Sequence, residues 1–240
     1  MEKSKLEKFI TKYNLNGACE SVNLVSKDNA LSVNTISSDK SIVVSVTAED
    51  VGFPEGTYNI YETKKFRSML SVMDENITVS PNKKGTSTGI NITDGSTSAT
   101  FVLAEESIIP QTPSLKSIPP TEFTIKIDEK FINTFIRAKS ALNDVDTFAL
   151  ISEGEENVAS LVIGYSNRNT NRIMVKATTD KAVKIDTDMY SANLLREILN
   201  ANKDVTSGVI RVTKKGMLIA EFGGNGFTSK YYLVRTDDTE

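Results

Sequence analysis

Histidine is absent from the 240 residues. With it go the Ser-His-Asp and Cys-His pairs, the H-E-x-x-H metal site and any imidazole base. The single cysteine, Cys19, therefore has no histidine to activate it. It also excludes an internal disulfide framework and Cys-rich zinc sites, and it reads as a half-buried structural thiol in a reducing compartment. Carboxylate and lysine chemistry remain, and the acidic pairs to weigh are Asp144/Asp146, Glu155/Glu156 and Asp186/Asp188. None lies in a loop with the central glycine and terminal glutamate of a calcium site, so they read as solvated loop charges. Two glycine clusters, Lys84–Gly89 and Gly223–Lys230, lack the G-x-x-x-x-G-K-[ST] order of a phosphate loop and read as hairpin turns. The sequons Asn76-Ile77-Thr78 and Asn91-Ile92-Thr93 carry no meaning in a cytoplasmic chain. No catalytic residue, metal ligand or cofactor is assigned, and the chain is expected not to be an enzyme.

Binding chemistry is better represented. Lys5, Lys8 and Lys12 share one helical face by their i, i+3, i+7 spacing. Lys64, Lys65 and Arg67 follow in a second helical stretch, Lys130, Arg137 and Lys139 in a third, Arg196 and Lys203 in a fourth. Residues 3–14, 62–73, 128–143 and 190–203 carry net charges of +3, +2, +1 and +1. Together they hold +7 in a chain of formal net charge −3, so the remainder carries −10. For any one helix a solvated polar face accounts for the lysines. Four helices biased alike on an acidic background suit a phosphate backbone, held without sequence preference and with salt sensitivity through counterion release.

The elements that must position these cations follow from periodicity. Leu6, Phe9, Ile10 and Tyr13 predict a helix over about 4–14, and Phe66, Met69, Leu70 and Met73 one over about 62–73. Asp128 is the expected N-cap of a third, with Phe131, Ile132, Phe135, Ile136 and Leu142 on one side. A fourth follows Ser191 with Leu194, Leu195, Ile198 and Leu199. Between them, β-branched and alternating runs predict short antiparallel strands at 41–47, 76–80, 89–93, 100–104, 123–128, 148–152, 158–165, 172–178, 208–213, 217–222 and 230–235, joined by turns such as 153–157 and 214–216. Residues 105–121 hold four of the six prolines, show no periodicity and read as an extended linker. Either side of it the order helix, strands, helix, strands recurs. The expected class is α+β, with two similar domains at 1–104 and 122–240, each with two helices packed on antiparallel sheet. No run of eighteen apolar residues predicts a membrane span, and MEKSKLEKFI has no apolar leader core, so a cytoplasmic location (host cytoplasm if viral) is expected.

Three stretches resemble a known family. Tyr58–Ser80 (YNIYETKKFRSMLSVMDENITVS) is similar to the second helix and flanking strands of DNA sliding clamps of the T-even-phage type. Phe123–Asn167 resembles the start of their second domain, and Gly216–Asp238 the closing hairpin and strand, where Lys230-Tyr231-Tyr232-Leu233 matches a K-Y-Y-L run of proliferating cell nuclear antigen. Residues 14–40 and 81–97 match poorly. The resemblance implies a homotrimeric ring with helices inside and sheets outside. Twelve helices, each about 10–12 Å across, would set their axes on a circle roughly 40 Å wide and leave an opening on the order of 30 Å, enough for a hydrated duplex. It further implies a processivity factor that encircles double-stranded DNA, tethers a DNA polymerase, is opened by an ATP-dependent clamp loader and serves bacteriophage late-transcription factors. The cations named above would line the pore. Partner peptides would insert at Ile36, Ile109, Leu115, Ile118, Val212, Met217 and Tyr232. The phage-type pocket has a tryptophan near the position of Val212, and this chain has no tryptophan. Subunits would pair Phe101, Val102 and Leu103 with Ile173, Met174 and Val175 of the next chain.

Two other readings stand beside this one. A monomeric processivity factor of the same fold would hold DNA on its basic face without encircling it. A β-rich virion structural protein would neither stimulate a polymerase nor touch DNA in a salt-sensitive way.

Overall fold

The computed structural model describes residues 1–84, 87–113, 117–166, 168, 170–205 and 208–236, the side chains of 83, 84 and 87 excepted. By its internal contacts the chain divides into two compact units. The first comprises Met1–Pro113 with Gly226–Ser229, the second Ser114–Asn225 with Lys230–Glu240.

In the first unit, helix α1 (Lys3–Asn14) and helix α2 (Thr63–Leu70) lie against each other. Strands β1 (Val22–Lys27), β2 (Ala30–Ile36), β3 (Ile42–Glu49) and β4 (Gly56–Ile60) form an antiparallel sheet in the order β4-β1-β2-β3. Strands β5 (Thr78–Lys84), β6 (Ser87–Thr93) and β7 (Ser98–Val102) form a second, with β7 at its edge. Leu6, Phe9, Ile10 and Tyr13 of α1 are fully buried, as the 3.6-residue period requires. Helix α2 is shorter than its apolar period suggests. The Ser71 N–H still bonds the Arg67 carbonyl, but the Met73 N–H goes to Leu70, which tightens the chain into a turn. Met73 nevertheless stays in the core.

In the second unit, β8 (Thr121–Ile127) precedes helix α3 (Glu129–Ala141). Then come β9 (Thr147–Ile151), β10 (Val158–Ile163), β11 (Ile173–Thr178), β12 (Asp188–Ser191) and helix α4 (Ala192–Ala201). The chain closes with β13 (Gly208–Thr213), β14 (Leu218–Gly224) and β15 (Phe227–Leu233). One antiparallel sheet runs β11-β10-β9-β12, and β14, β13 and β8 are neighbours in another. The two helices lie against each other, with α3 also touching β11 and α4 touching β9. Phe135, Phe148 and Tyr190 fill the space beneath them, with ring centroids 5.6 Å apart in each successive pair.

Strands β1, β2, β4 and β12 go beyond those expected from alternation. The β1–β2 hairpin had a readable signal. Asp28 and Asn29 both sit at positive φ (51° and 62°), giving the two-residue turn whose twist matches the flanking strands. The glycine cluster at 223–230 contains the same kind of turn, with Asn225 at φ 54° and Gly226 at 76° between β14 and β15. The cluster at 84–89 lies partly outside the described residues. Within the proline-rich segment, residues 106–108 make one 3₁₀ turn, Ile109 is buried, and Thr112 donates its hydroxyl to the Asn34 carbonyl at 2.9 Å. Cys19 is fully buried rather than half-buried, and burial pushes its thiol up to about 12.

Candidate nucleic-acid interface

Each unit presents its cations from the polar side of a helix pair, and the ends of those helices are fixed in two ways. In the second unit the caps are local. Asp128 accepts from the Phe131 N–H at 2.7 Å and Ser191 from the Leu194 N–H at 3.2 Å. In the first unit neither Glu2 nor Glu62 caps the helix that follows it. Glu75 accepts from the Ser4 N–H at 3.0 Å instead, and Glu20 from the Lys64 N–H at 2.9 Å. Glu20 also accepts from the Asn14 amide at 3.0 Å, so one carboxylate ties the end of α1 to the start of α2.

On this framework the predicted cations separate into three groups. Lys8, Lys64, Arg67, Lys130, Arg137 and Lys203 are exposed and carry no ion pair among the described residues. Lys5 is half-buried and donates to the Asp50 carbonyl at 3.0 Å, and Lys65 is exposed but lies 3.5 Å from Glu62. Lys12, Lys139 and Arg196 do not offer a free charge on a solvated face. Lys12 is 1% exposed, with its ammonium 5.2 Å from the Phe227 ring centroid. Lys139 is fully buried. It donates to the Asn143 carbonyl at 3.0 Å and the Leu142 carbonyl at 3.4 Å, in the turn that follows α3. Burial, then the nearby Arg196 guanidinium, hold its ammonium below the usual lysine range. Arg196 is bound to Glu197, Nη2 to Oε1 at 2.8 Å and Nε to Oε1 at 2.9 Å, with both side chains largely withdrawn from solvent. Helical spacing has no view of what packs above a long side chain, whose aliphatic stem can lie in a core.

One member of each of two acidic pairs serves local structure. Asp146 accepts from the Asn193 amide at 2.7 Å, and Asp188 pairs with Arg235 at 3.6 Å.

No family model matches the chain, and no curated protein matches it in sequence. Solved structures do. Proliferating cellular nuclear antigen from Entamoeba histolytica superposes with a TM-score of 0.73 over 98% of this chain and 96% of its own, at 13% identity. A structure of the PCNA2–PCNA3 complex from Sulfolobus tokodaii gives 0.71 over 98% and 97%, at 11% identity.

The fold is that of a sliding clamp. Mixed α+β, four helices on antiparallel sheets, it agrees with the architecture expected from periodicity and from the resemblance. Within the clamp fold, the strands expected to join subunits, β7 and β11, are each the outer strand of their sheet. Val102 is 68% exposed and Met174 53%, while Phe101 and Val175 beside them are buried and Leu103 and Ile173 half-buried. Of the positions expected to take partner peptides, Ile36, Met217 and Tyr232 are half-buried and Ile118 is exposed. Ile109 and Val212 are buried, and Leu115 lies outside the described residues. Val212 lines a groove of about 710 Å³ in the second unit, whose wall is charged by Lys184, Asp186, Asp188, Lys214 and Lys215. Lys230 lies 5.5 Å from the Tyr232 ring centroid and 2.6 Å from Glu221. No helix is long and apolar enough to cross a membrane among the described residues.

Proposed function

We propose that this chain is a sliding clamp, a non-enzymatic processivity factor that assembles as a homotrimeric ring around double-stranded DNA and tethers a DNA polymerase. The observation that carries the reading is a clamp fold spanning 98% of the chain, with exposed, unpaired cations on the polar faces of α1, α2 and α3. Affinity at any one point is weak and independent of sequence, because the contacts are to phosphates. Enclosure prevents escape, and the polymerase gains processivity through effective concentration. The DNA-contacting set is Lys8, Lys64, Arg67, Lys130, Arg137 and Lys203, with Lys5 and Lys65 beside it.

Subunits join by pairing β7 with β11 of the next chain, which covers two open sheet edges and the exposed Val102 and Met174. Partner peptides dock on the second unit at the half-buried Met217 and Tyr232 and the exposed Ile118, and the half-buried Ile36 is the candidate contact of the first; the segment 105–121 links domains 1–104 and 122–240. An ATP-dependent loader opens the ring. The phage type, and with it a late-transcription role, rests on the sequence resemblance.

The deciding measurement is solution mass over a concentration series, followed by retention on closed circular against linear DNA. The expected mass approaches three times the chain's 26.3 kDa, with retention on circles alone. Met174→Asp places a charge on the joining edge and is expected to leave a folded monomer. A wild-type chain that is monomeric at every concentration overturns the ring and favours a processivity factor that does not encircle DNA.

A further inference from the structure

Two ion pairs on the helix faces assigned to DNA differ in kind. Lys65–Glu62 spans 3.5 Å between side chains that are 67% and 56% exposed. Such a pair is screened by salt and holds its partners loosely, so a phosphate can take the lysine at little cost. Arg196–Glu197 is closed by two contacts, at 2.8 and 2.9 Å, between side chains only 25% and 19% exposed. A charge-assisted, partly desolvated pair of this kind is much harder to separate. Opening the pair would leave a half-buried carboxylate without its partner. Helix α4 contains no other charged residue, and Lys203 stands in the turn beyond it. Its surface is thereby neutral along its length, in contrast to α1, α2 and α3.

We propose that Glu197 is a brake on DNA affinity. It holds Arg196 out of the phosphate-contacting set and keeps α4 a low-friction face over which the duplex can slide. This rests on the DNA-facing assignment of the helices given above. Glu197 acts through Arg196 and does not itself touch DNA.

The test uses the full chain and a short fluorescent duplex, with affinity read against salt concentration. Glu197→Gln keeps the side-chain shape and releases the arginine. Affinity at low salt should rise several-fold, and the slope of log K against log salt should steepen by about 0.9 for each arginine that reaches a phosphate. The double variant R196Q/E197Q has the wild-type net charge and should return to the wild-type slope. Glu129→Gln, on the exposed start of α3, serves as the control for a general change in charge and should shift the slope less than E197Q. An E197Q slope equal to wild type, while Lys8→Ala and Arg137→Ala both flatten theirs, overturns the brake and leaves the DNA face standing. An E129Q effect as large as that of E197Q also overturns it. If neither Lys8→Ala nor Arg137→Ala changes the slope, the DNA-face reading fails and the brake fails with it.

Discussion

The two units solve the same structural problem by different chemistry. Each must satisfy the free N–H groups at the starts of two helices. The second unit does so with the residue next to the helix, Asp128 for α3 and Ser191 for α4. The first reaches across the fold, Glu75 for α1 and Glu20 for α2. A local cap forms as soon as its own turn forms. A distant one exists only after the strands or turns that carry it have docked, so the side-chain caps of α1 and α2 depend on tertiary structure that those of α3 and α4 do not need.

The sharpest way to break this contrast is Glu20→Ala. It removes both the α2 cap and the link to Asn14, and should destabilise the first unit by about 2 kcal/mol. Amide hydrogen exchange should speed up at both α1 and α2. Protection that changes at α2 alone would mean the Asn14 link carries nothing. Asp128→Ala removes one short local cap, with an expected cost of about 1 kcal/mol confined to the start of α3. Ser191→Ala, whose bond is longer, should cost roughly 0.5 kcal/mol, read at α4 by the same exchange experiment.

The smallest effect expected at neutral pH, and one that grows on acidification, comes from the carboxylates. Among the described residues Asp39, Glu75 and Asp94 of the first unit lie below the ordinary carboxylate range, and in the second only Glu221 does. For Glu75 the cause is hydrogen bonding from Ser4, and for Asp94 the N–H groups of Asp74 and then Thr97. For Asp39 burial opposes the shift, and the hydrogen bonds from Ser37 and Ser41 outweigh it. For Glu221 burial again opposes it, and Lys230 and Arg211 prevail. A depressed carboxyl contributes stability that is complete above its unfolded value, about 4, and is lost as pH falls through its folded value. Below about pH 4 the first unit should therefore loosen ahead of the second, a sequence that NMR amide signals can follow. Simultaneous loss would show that these hydrogen bonds do not distinguish the units.

Much of this was legible beforehand, and the caps show why some was not. Asp128 and Ser191 could be read because a helix and its local cap are separated by three residues. Glu20 and Glu75 could not, because nothing near either residue says which helix it will meet. The same division runs through the candidate interface. The spacing of Lys8, Lys64, Arg67, Lys130 and Arg137 put them on exposed polar faces, where they are found. Lys12 and Lys139 obey the same spacing and are buried, one against Phe227 and the other on the carbonyls that close α3. Arg196 is silenced by its sequence neighbour, a pairing open to inspection but not decided by helical spacing. Strands β1 and β2 were missed although Asp28-Asn29 marks their turn, and β12 offers only four residues from which to read alternation.

By itself the sequence determined the helices, most of the strands, the class of fold and the absence of histidine chemistry, because these depend on side-chain period and residue type within a few neighbours. Only the tertiary structure decided which lysines keep a solvated charge, which arginine is tied down, and which carboxylates hold the first unit's helices. Those outcomes depend on groups brought together from distant parts of the chain, where burial and a partner within 3 Å outweigh any local preference.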